Sequence, residues 1–390
     1  MNVTWGRSRP SPVRALTIED LRRGARRHLP RIIFDYVDGG AGDEVTVRRN
    51  REAFERLAFR PRALVDVSNR DLTVTVLGDR LASPVLVAPT GMAGLCWPRG
   101  EVEAARAAGH AGTAYVLSMY ASCSIEAVAA AATGPLWLQV HVWRNRDTTR
   151  ALIERARAVG CRALVLGVDS PLISVRERDV RNGFTIPPSV GVRQALDVAR
   201  HPAWIWRVLR RRPTMPILSA AAGRDPGASV VTLAAISSRE LDPGLTWEAV
   251  RWVRGLWPGP LVLKGILSVE DARLAADHGA DGLVVSNHGG RQLDGAPASA
   301  EVLPEVADAV GGRLEVYLDG GVRRGADVVK ALALGARAVF VGRPYLYGLA
   351  VAGAAGVGRA LAILQQELDH TLGLVGVPRA VEVDRHVLRS

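Results

Sequence analysis

Eight short apolar runs recur along the chain, and each ends in polar or glycine-rich sequence. They occupy residues 84–88, 114–117, 136–140, 163–168, 261–263, 282–285, 315–318 and 338–341. Most are separated by amphipathic stretches of helical length, at residues 102–108, 148–159, 269–278 and 326–334. This alternation predicts an α/β fold. A doubly wound open sheet shows the same periodicity, but the count of eight favours a (β/α)8 TIM barrel.

Two further segments complete this plan. The pattern of residues 1–60 is polar and helical, which predicts an N-terminal helical extension before a barrel over residues 61–390. Thr17, with Asp20 three residues later, is a candidate helix N-cap. About ninety residues separate the fourth and fifth runs, and a connection of that length is usually functional or disordered. We therefore predict a long insert between strands four and five, at about residues 186–245.

Part of this insert, residues 201–213, combines aromatic and basic side chains. Trp204 and Trp206 lie among Arg207 and the arginines at 210–212. Such a short helix suits peripheral membrane contact or a partner surface. Alternatively, the tryptophans pack on the barrel and the arginines face solvent. The sequence leaves both interpretations open.

The chain is basic, with a formal net charge of +11, and Lys264 and Lys330 are its only lysines. No nucleic-acid-binding module accompanies this charge, so we expect no nucleic-acid partner. The three cysteines are scattered and match no zinc or disulfide spacing, so we predict no metal site. We see neither a signal-peptide core nor an apolar run long enough to span a membrane. We therefore expect a cytoplasmic protein, with peripheral attachment at the inner face of the membrane left open.

The sequence SNHGGRQLD, residues 286–294, directly follows the sixth run. The active sites of TIM barrels lie at the carboxyl ends of their strands. There, His288 and Arg291 would pair a proton acceptor with an anion-binding guanidinium. After the fourth run, Asp169 is suited either to orient an imidazole or to cap a turn, and Arg176 is a second candidate carboxylate ligand.

Glycine-rich sequence and isolated cations follow the other runs. Lys264 closes the fifth run, where its charge suits negative charge that develops on a cofactor ring; a Schiff-base lysine is the alternative. The sequences LDGGVRRG and VGRP, at residues 318–325 and 341–344, follow the last two runs, where barrels bind phosphate through backbone amides. Arg323 and Arg343 would add charged hydrogen bonds there. After the first run, Gly91 allows a planar ligand to approach the backbone.

In this order, these stretches resemble the FMN-dependent 2-hydroxy acid dehydrogenase family over residues 29–373, nearly the whole chain. The resemblance implies an FMN-bound (β/α)8 barrel that oxidises an (S)-2-hydroxy acid to the 2-oxo acid. Its electron acceptor would be oxygen, a quinone or a protein. A homo-oligomer, specifically a tetramer, is expected by analogy.

The resemblance also implies roles for individual residues. His288 would be the base, and Asp169 would stabilise its imidazolium. Arg176, Arg291 and Tyr36 would hold the substrate carboxylate. The other implied positions are Lys264 and Ser286 beside the flavin, Thr90, Gly91, Ser118 and Gln139 around its ring, Asp319, Gly321, Arg323, Gly342 and Arg343 at its ribityl and phosphate groups, and Tyr120 and His141 at the substrate.

Three residues depart from the family pattern. His141 replaces a tyrosine that binds substrate and stabilises the transition state, and Gly167 replaces a threonine near the flavin. Gly91 stands where oxygen-using members mostly carry alanine, which favours another acceptor or a mono-oxygenase. These departures leave open an FMN-dependent biosynthetic oxidase acting on a larger substrate, such as an amine or a modified peptide. A non-redox isomerase or aldolase that binds phosphate is the alternative from another class.

Overall fold

The computed structural model describes residues 14–184, 191–208, 210, 214–221 and 239–389. Its strands are β1 (Val74–Val76), β2 (Asp79–Leu81), β3 (Val85–Val87), β4 (Tyr115–Ser118), β5 (Leu136–Val140), β6 (Ala163–Gly167), β7 (Leu261–Ile266), β8 (Gly282–Val285), β9 (Glu315–Leu318) and β10 (Ala338–Val341). The last eight are parallel and form a closed barrel in the order β10-β3-β4-β5-β6-β7-β8-β9. Because β10 pairs with β3, the predicted barrel is confirmed and the open sheet is wrong.

Helices form the layer outside the barrel. They are α1 (Ile18–His28), α2 (Arg31–Asp38), α3 (Val45–Arg56), α4 (Gly100–His110), α5 (Ile125–Ala129), α6 (Arg146–Ala158), α7 (Glu177–Arg181), α8 (Val192–Ala199), α9 (Pro202–Arg207), α10 (Pro216–Ala221), α11 (Trp247–Leu256), α12 (Val269–Asp277), α13 (Ser299–Val310), α14 (Gly325–Ala333) and α15 (Arg343–Val375). The backbone of α15 leaves the helical region at Ala352 and Gly353. The expectation that no apolar run is long enough to span a membrane is wrong by length and composition, because among the described residues α15 meets both requirements. However, 61% of its most apolar window is buried in the protein.

Apolar side chains fill the barrel interior. Strands β4, β5 and β6 are buried at every position, because one face lines the interior and the other lies under helices. Inside, the ring of Trp137 lies 6.3 Å from that of Tyr317 and 5.9 Å from that of Phe340, edge to face. Because apolar side chains fill the interior, the polar residues that follow the strands lie together at the carboxyl face of the barrel.

The N-terminal extension contacts this carboxyl face through ion pairs. Thr17 and Asp20 form the predicted cap of α1 as a reciprocal capping box. Arg178, on α7 after β6, forms ion pairs with Asp35 at 3.1 Å and Asp38 at 2.9 Å on α2. The extension and the long insert are confirmed as parts of the fold. Their boundaries at residue 60 and at about residues 186–245 stay predictions. Residues 185–190, 209, 211–213 and 222–238, in the region of the insert, lie outside the described part.

A β-hairpin that we did not predict covers one end of the barrel. Strands β1 and β2 are antiparallel. Leu77 and Gly78 connect them with φ of +47° and +86°, as a two-residue type I′ turn requires. Val74 and Val76 pack into the interior cluster. Three-residue strands are too short for an alternating pattern to be recognised.

The two tryptophans of α9 have different environments. Trp204 is 8% exposed, and its Nε1–H donates to the carbonyl of Leu95 at 2.8 Å. Trp206 is 69% exposed, and the guanidinium of Arg210 lies 4.4 Å from its ring centroid. Residues two apart on a helix do not share a face. The packing interpretation therefore holds for Trp204, and the surface interpretation for Trp206.

Candidate active site

His288 lies in the loop after β8, with a φ of +57° that side chains rarely adopt. Its backbone N–H donates to Oγ of Ser286 at 3.0 Å. Its Nδ1 lies 3.0 Å and 3.2 Å from the two carboxylate oxygens of Asp169. Because a carboxylate only accepts hydrogen bonds, Nδ1 carries the hydrogen and Nε2 is left as a proton acceptor.

Asp169 is ionised in this arrangement. Burial opposes its ionisation, but the electrostatic interaction and hydrogen bond with His288, together with the charge of Lys264, outweigh that cost and hold the pKa of Asp169 well below its usual range. A charged carboxylate accepts the hydrogen bond of Nδ1–H and so holds the ring of His288 in one orientation. The predicted pairing of His288 with Asp169 is therefore present in the structure.

Lys264 holds a buried positive charge beside this pair. Its Nζ lies 2.9 Å from Oδ2 of Asp319 and donates to Oγ of Ser286 at 2.9 Å. Burial opposes protonation, but Asp319 and Asp169 outweigh it and raise the pKa of Lys264 above its ordinary value. A Schiff base needs the neutral amine. The ion pair with Asp319 favours the charged form of Lys264, which does not fit the aldolase alternative.

Gly265 allows Asp169 and Lys264 to lie side by side. Its φ is +114°, and the register between β7 and β8 shifts at this point. A Cβ on Gly265 would lie 2.5 Å from Cβ of Asp169. Glycine is therefore needed here both for the backbone conformation and for the approach of the carboxylate.

Replacing Lys264 by Met leaves the carboxylate of Asp319 buried without its cation. We expect the free energy of unfolding to fall by about 3–5 kcal/mol, as is typical when one partner of a buried ion pair is removed. Lys330→Met is the matched control, because Nζ of Lys330 donates to the backbone carbonyl of Phe54 at 2.7 Å. Urea denaturation compares the two variants, and equal losses would contradict the importance of the buried pair.

Two arginines flank the ring of Tyr36. The guanidinium carbons of Arg176 and Arg291 lie 5.6 Å and 5.0 Å from its centroid. The hydroxyl of Tyr36 donates to the carbonyl of Gly91 at 3.4 Å. Burial, together with the charge of Arg176, lowers the pKa of Arg291 to about 9, so Arg291 remains a cation at neutral pH. The predicted carboxylate-binding residues are thus brought together.

Asp179 belongs to this group, although we assigned it no role from the sequence. It is 3% exposed and lies 3.1 Å from Nε of Arg176. Burial raises its pKa, although Arg176 and Arg291 act to lower it. The available signal was its spacing, since Asp179 follows Arg176 by three residues at the start of α7. Its carboxylate balances part of the positive charge of the arginines.

His141 is the second imidazole of the site, and unlike His288 it is buried. Its Nδ1 lies 3.2 Å from the carbonyl oxygen of Gly167, and its ring centroid is 5.8 Å from that of Tyr120. Burial, and then the electrostatic interaction with His288, lower the pKa of His141 to about 4, so the ring is neutral at neutral pH. A Cβ on Gly167 would lie 2.4 Å from Cε1 of His141. Two of the departures from the family pattern are therefore neighbours that accommodate each other.

Predicted flavin-ring positions line one side of the carboxyl face. Thr90 and Gly91 follow β3, Ser118 ends β4, and Gln139 lies in β5. The hydroxyl of Ser118 donates to Oε1 of Gln139 at 3.1 Å. A Cβ on Gly91 would lie 3.1 Å from Cβ of Tyr120, so a larger residue would crowd this wall.

The predicted phosphate site combines glycine backbone with clustered guanidinium groups. Gly321 has a φ of +87°, and a Cβ there would lie 2.2 Å from a backbone oxygen of α3. Gly342 immediately precedes α15. Burial lowers the pKa of Arg323, and the charges of Arg343 and Arg51 lower it further. Positive groups this close together favour a bound anion such as phosphate.

Arg343 has an additional role that the sequence did not indicate. Its guanidinium donates to the backbone carbonyls of Asp38 at 3.1 Å, Gly39 at 2.8 Å and Gly289 at 2.8 Å. Arg291 also donates to the carbonyl of Gly39, at 3.0 Å. Carbonyl groups at the end of a helix need partners from outside that helix. The two arginines supply them at the end of α2 and link the extension to the site.

These residues fit FMN. The side of the carboxyl face at Gly91 has room for a flat ring, and Lys264 supplies a cation beside it. The loop of Gly321, together with Arg323, suits a phosphate. Oδ1 of the buried Asp319 has no hydrogen-bond partner among the described residues, so it is available to a ribityl hydroxyl.

Comparisons with known proteins identify the family. A family model described as FMN-dependent dehydrogenase matches residues 25–390. The chain is 44% identical over 375 residues to a putative L-lactate dehydrogenase of Mycobacterium tuberculosis, covering 96% of this chain and 89% of the relative. It is 44% identical over 382 residues to an L-lactate oxidase of Nostoc sp., covering 97% and 98%. The solved structure of a monotopic membrane protein, (S)-mandelate dehydrogenase, superposes with a TM-score of 0.92 at 41% identity and covers 96% of this chain and 99% of that one.

The chain belongs to the FMN-dependent dehydrogenase family. It is an FMN-dependent oxidoreductase that acts on 2-hydroxy acids, which confirms the expected cofactor and class of enzyme.

Proposed function

We propose that the protein oxidises an (S)-2-hydroxy acid to the 2-oxo acid, with His288 as the base. The observation that carries this proposal is the hydrogen bond of His288 Nδ1–H to Asp169, at 3.0 Å, which leaves Nε2 unprotonated. The arginines around Tyr36 supply the anion-binding site that a 2-hydroxy acid requires.

Substrate orientation follows from the charges of this site. The substrate carboxylate binds between Arg176 and Arg291, because planar guanidinium groups bind carboxylates through paired hydrogen bonds. Tyr36 separates the two guanidinium groups and adds its hydroxyl. Carbon 2 of the substrate then faces His288, and Tyr120 and His141 surround the remainder of the molecule.

Proton transfer uses the pair of His288 and Asp169. Nε2 of His288 accepts one proton from the substrate, and the charged Asp169 stabilises the imidazolium that results. Bound FMN supplies the acceptor for the electron pair and the second proton. Lys264 provides a fixed positive charge for the negative charge that develops during the reaction.

The purified holoenzyme tests this proposal. We expect a flavin absorption spectrum that bleaches anaerobically with at least one member of a panel of 2-hydroxy acids that includes lactate and mandelate. Reoxidation of the bleached enzyme by oxygen and by a soluble quinone then identifies the kind of acceptor. A chain that binds FMN but is reduced by no 2-hydroxy acid would contradict the proposal.

A second candidate function is oxidation of a larger substrate, such as an amine or a modified peptide. Its basis is the pair of departures from the family pattern at His141 and Gly167, whose Nδ1 and carbonyl oxygen lie 3.2 Å apart. FMN that is bleached only by amines or peptides would support this candidate.

We also propose peripheral attachment to a membrane through the region of α8 and α9. These helices pack together, and they carry Val192, Leu196 and Trp206, which are 78%, 56% and 69% exposed. Arg210 lies next to Trp206. An apolar surface bordered by arginine suits the interface of an anionic membrane, and one relative is a monotopic membrane protein. Assembly as a homo-oligomer, specifically a tetramer, stays a prediction.

Replacing Trp206 by Ser is expected to reduce co-sedimentation with vesicles of anionic phospholipid at least threefold, because the most exposed aromatic ring of this surface is lost. Leu374→Ser is the matched control, since Leu374 is 64% exposed on α15. Flavin reduction should be unchanged in both variants. Equal vesicle binding by wild type and Trp206→Ser would contradict this contact.

A further inference from the structure

The hydrogen bonding of His141 determines which ring nitrogen is a donor and which is an acceptor. Nδ1 lies 3.2 Å from the carbonyl oxygen of Gly167, and a carbonyl oxygen only accepts hydrogen bonds. Nδ1 therefore carries the hydrogen. A neutral imidazole has one N–H, so Nε2 presents a lone pair and can only accept.

Among the described residues, the hydrogen bonds of His141 are formed by its backbone N–H, to Sδ of Met119 at 3.0 Å, and by Nδ1, so Nε2 is left for a partner of another kind. The ring lies after β5, at the carboxyl face, and interacts electrostatically with His288, Asp169 and Lys264. A group bound at this face is thus the available partner for Nε2.

We propose that Nε2 of His141 accepts a hydrogen bond from the 2-hydroxyl of the substrate and thereby makes the site bind the 2-hydroxy acid in preference to the 2-oxo acid. The hydroxyl has a hydrogen to donate, whereas the 2-oxo group has only lone pairs, which would face the lone pair of Nε2 without a hydrogen between them. An unpaired polar contact of this kind weakens binding. The inference rests on the proposed oxidation of 2-hydroxy acids, and it makes His141 a residue that determines specificity and favours release of the product.

Gly167 supplies the space that this arrangement needs. A Cβ at position 167 would lie 2.4 Å from Cε1 and 2.8 Å from Nδ1 of His141. Gly167→Ala must therefore displace the imidazole, although it leaves the histidine itself in place. This gives a second way to disturb Nε2 without removing the ring.

The test is a titration of the oxidised holoenzyme with 2-oxo acids. The change in flavin absorbance reports the binding equilibrium. Pyruvate and phenylglyoxylate are the probes, and the KM of the matching 2-hydroxy acid is measured alongside. We expect His141→Phe to bind the 2-oxo acid about five- to tenfold more tightly and to raise the KM of the 2-hydroxy acid by a similar factor. Gly167→Ala should change the ratio of the two constants in the same direction.

Gly358→Ala is the matched control, because a Cβ at Gly358 meets no atom within 4 Å; both constants should stay within twofold of wild type. If the unmutated enzyme oxidises a 2-hydroxy acid but flavin-loaded His141→Phe binds the 2-oxo acid no more tightly than it does, this inference is overturned and the proposed function still stands. If no 2-hydroxy acid reduces the wild-type flavin, the proposed function fails, and the inference fails with it.

Discussion

His288→Gln is expected to lower the rate of anaerobic flavin reduction by about 10²–10⁴-fold, the usual contribution of a positioned general base. The reason is that Nε2 of His288 is kept as the proton acceptor by the bond from Nδ1 to Asp169, at 3.0 Å. Glutamine preserves hydrogen bonding but cannot take the proton. Stopped-flow measurement with saturating substrate separates this chemical step from binding.

His110→Gln is the control for this variant. His110 is exposed, and its Nδ1 bonds only to the carbonyl of Arg106 within its own helix. The rate of flavin reduction in His110→Gln should match that of wild type, and the flavin content of both variants should be unchanged. A His288→Gln enzyme that retains more than a tenth of the wild-type rate would rule out His288 as the base.

Arg176→Met is expected to lower kcat/KM by about 100-fold, mainly through a higher KM. The guanidinium of Arg176 lies 5.6 Å from the centroid of Tyr36, and hydrogen bonds to charged groups contribute about 1.5–3 kcal/mol each. Arg176→Lys should recover only part of the loss, since an ammonium does not pair with both carboxylate oxygens as a guanidinium does. Steady-state kinetics with one 2-hydroxy acid measures these effects.

Arg181→Met is the matched control, because the side chain of Arg181 on α7 is 77% exposed and pairs only with Glu177 of the same helix. We expect its kcat/KM to stay within twofold of wild type. Equal losses in Arg176→Met and Arg181→Met would show that destabilisation of α7, and not loss of the carboxylate contact, explains the result.

The barrel was predictable because its parallel strands are buried on both faces and therefore appear as continuous apolar runs. The pairing of His288 with Asp169 was predictable for a related reason, since both follow barrel strands and the strand ends converge. Neither inference required knowledge of individual side-chain contacts.

Other features depend on contacts between distant parts of the chain. Asp179 became part of the carboxylate-binding group only when α7 was placed beside Tyr36. The bonds of Arg343 to carbonyls of α2 depend on how the extension crosses the carboxyl face. Trp204 and Trp206 are only two residues apart in sequence, but the helix directs one into the protein and the other into solvent. No local pattern distinguishes such outcomes.

Anaerobic reduction of the flavin by separated enantiomers tests the central claim most directly. The holoenzyme is mixed with the (S) and the (R) form of its best 2-hydroxy acid, and flavin absorbance is followed for wild type and His288→Gln. We predict rapid bleaching of wild type by the (S) form alone, and reduction of His288→Gln that is at least 100-fold slower. Equal bleaching by both forms, or bleaching that does not depend on His288, would contradict this account of the site.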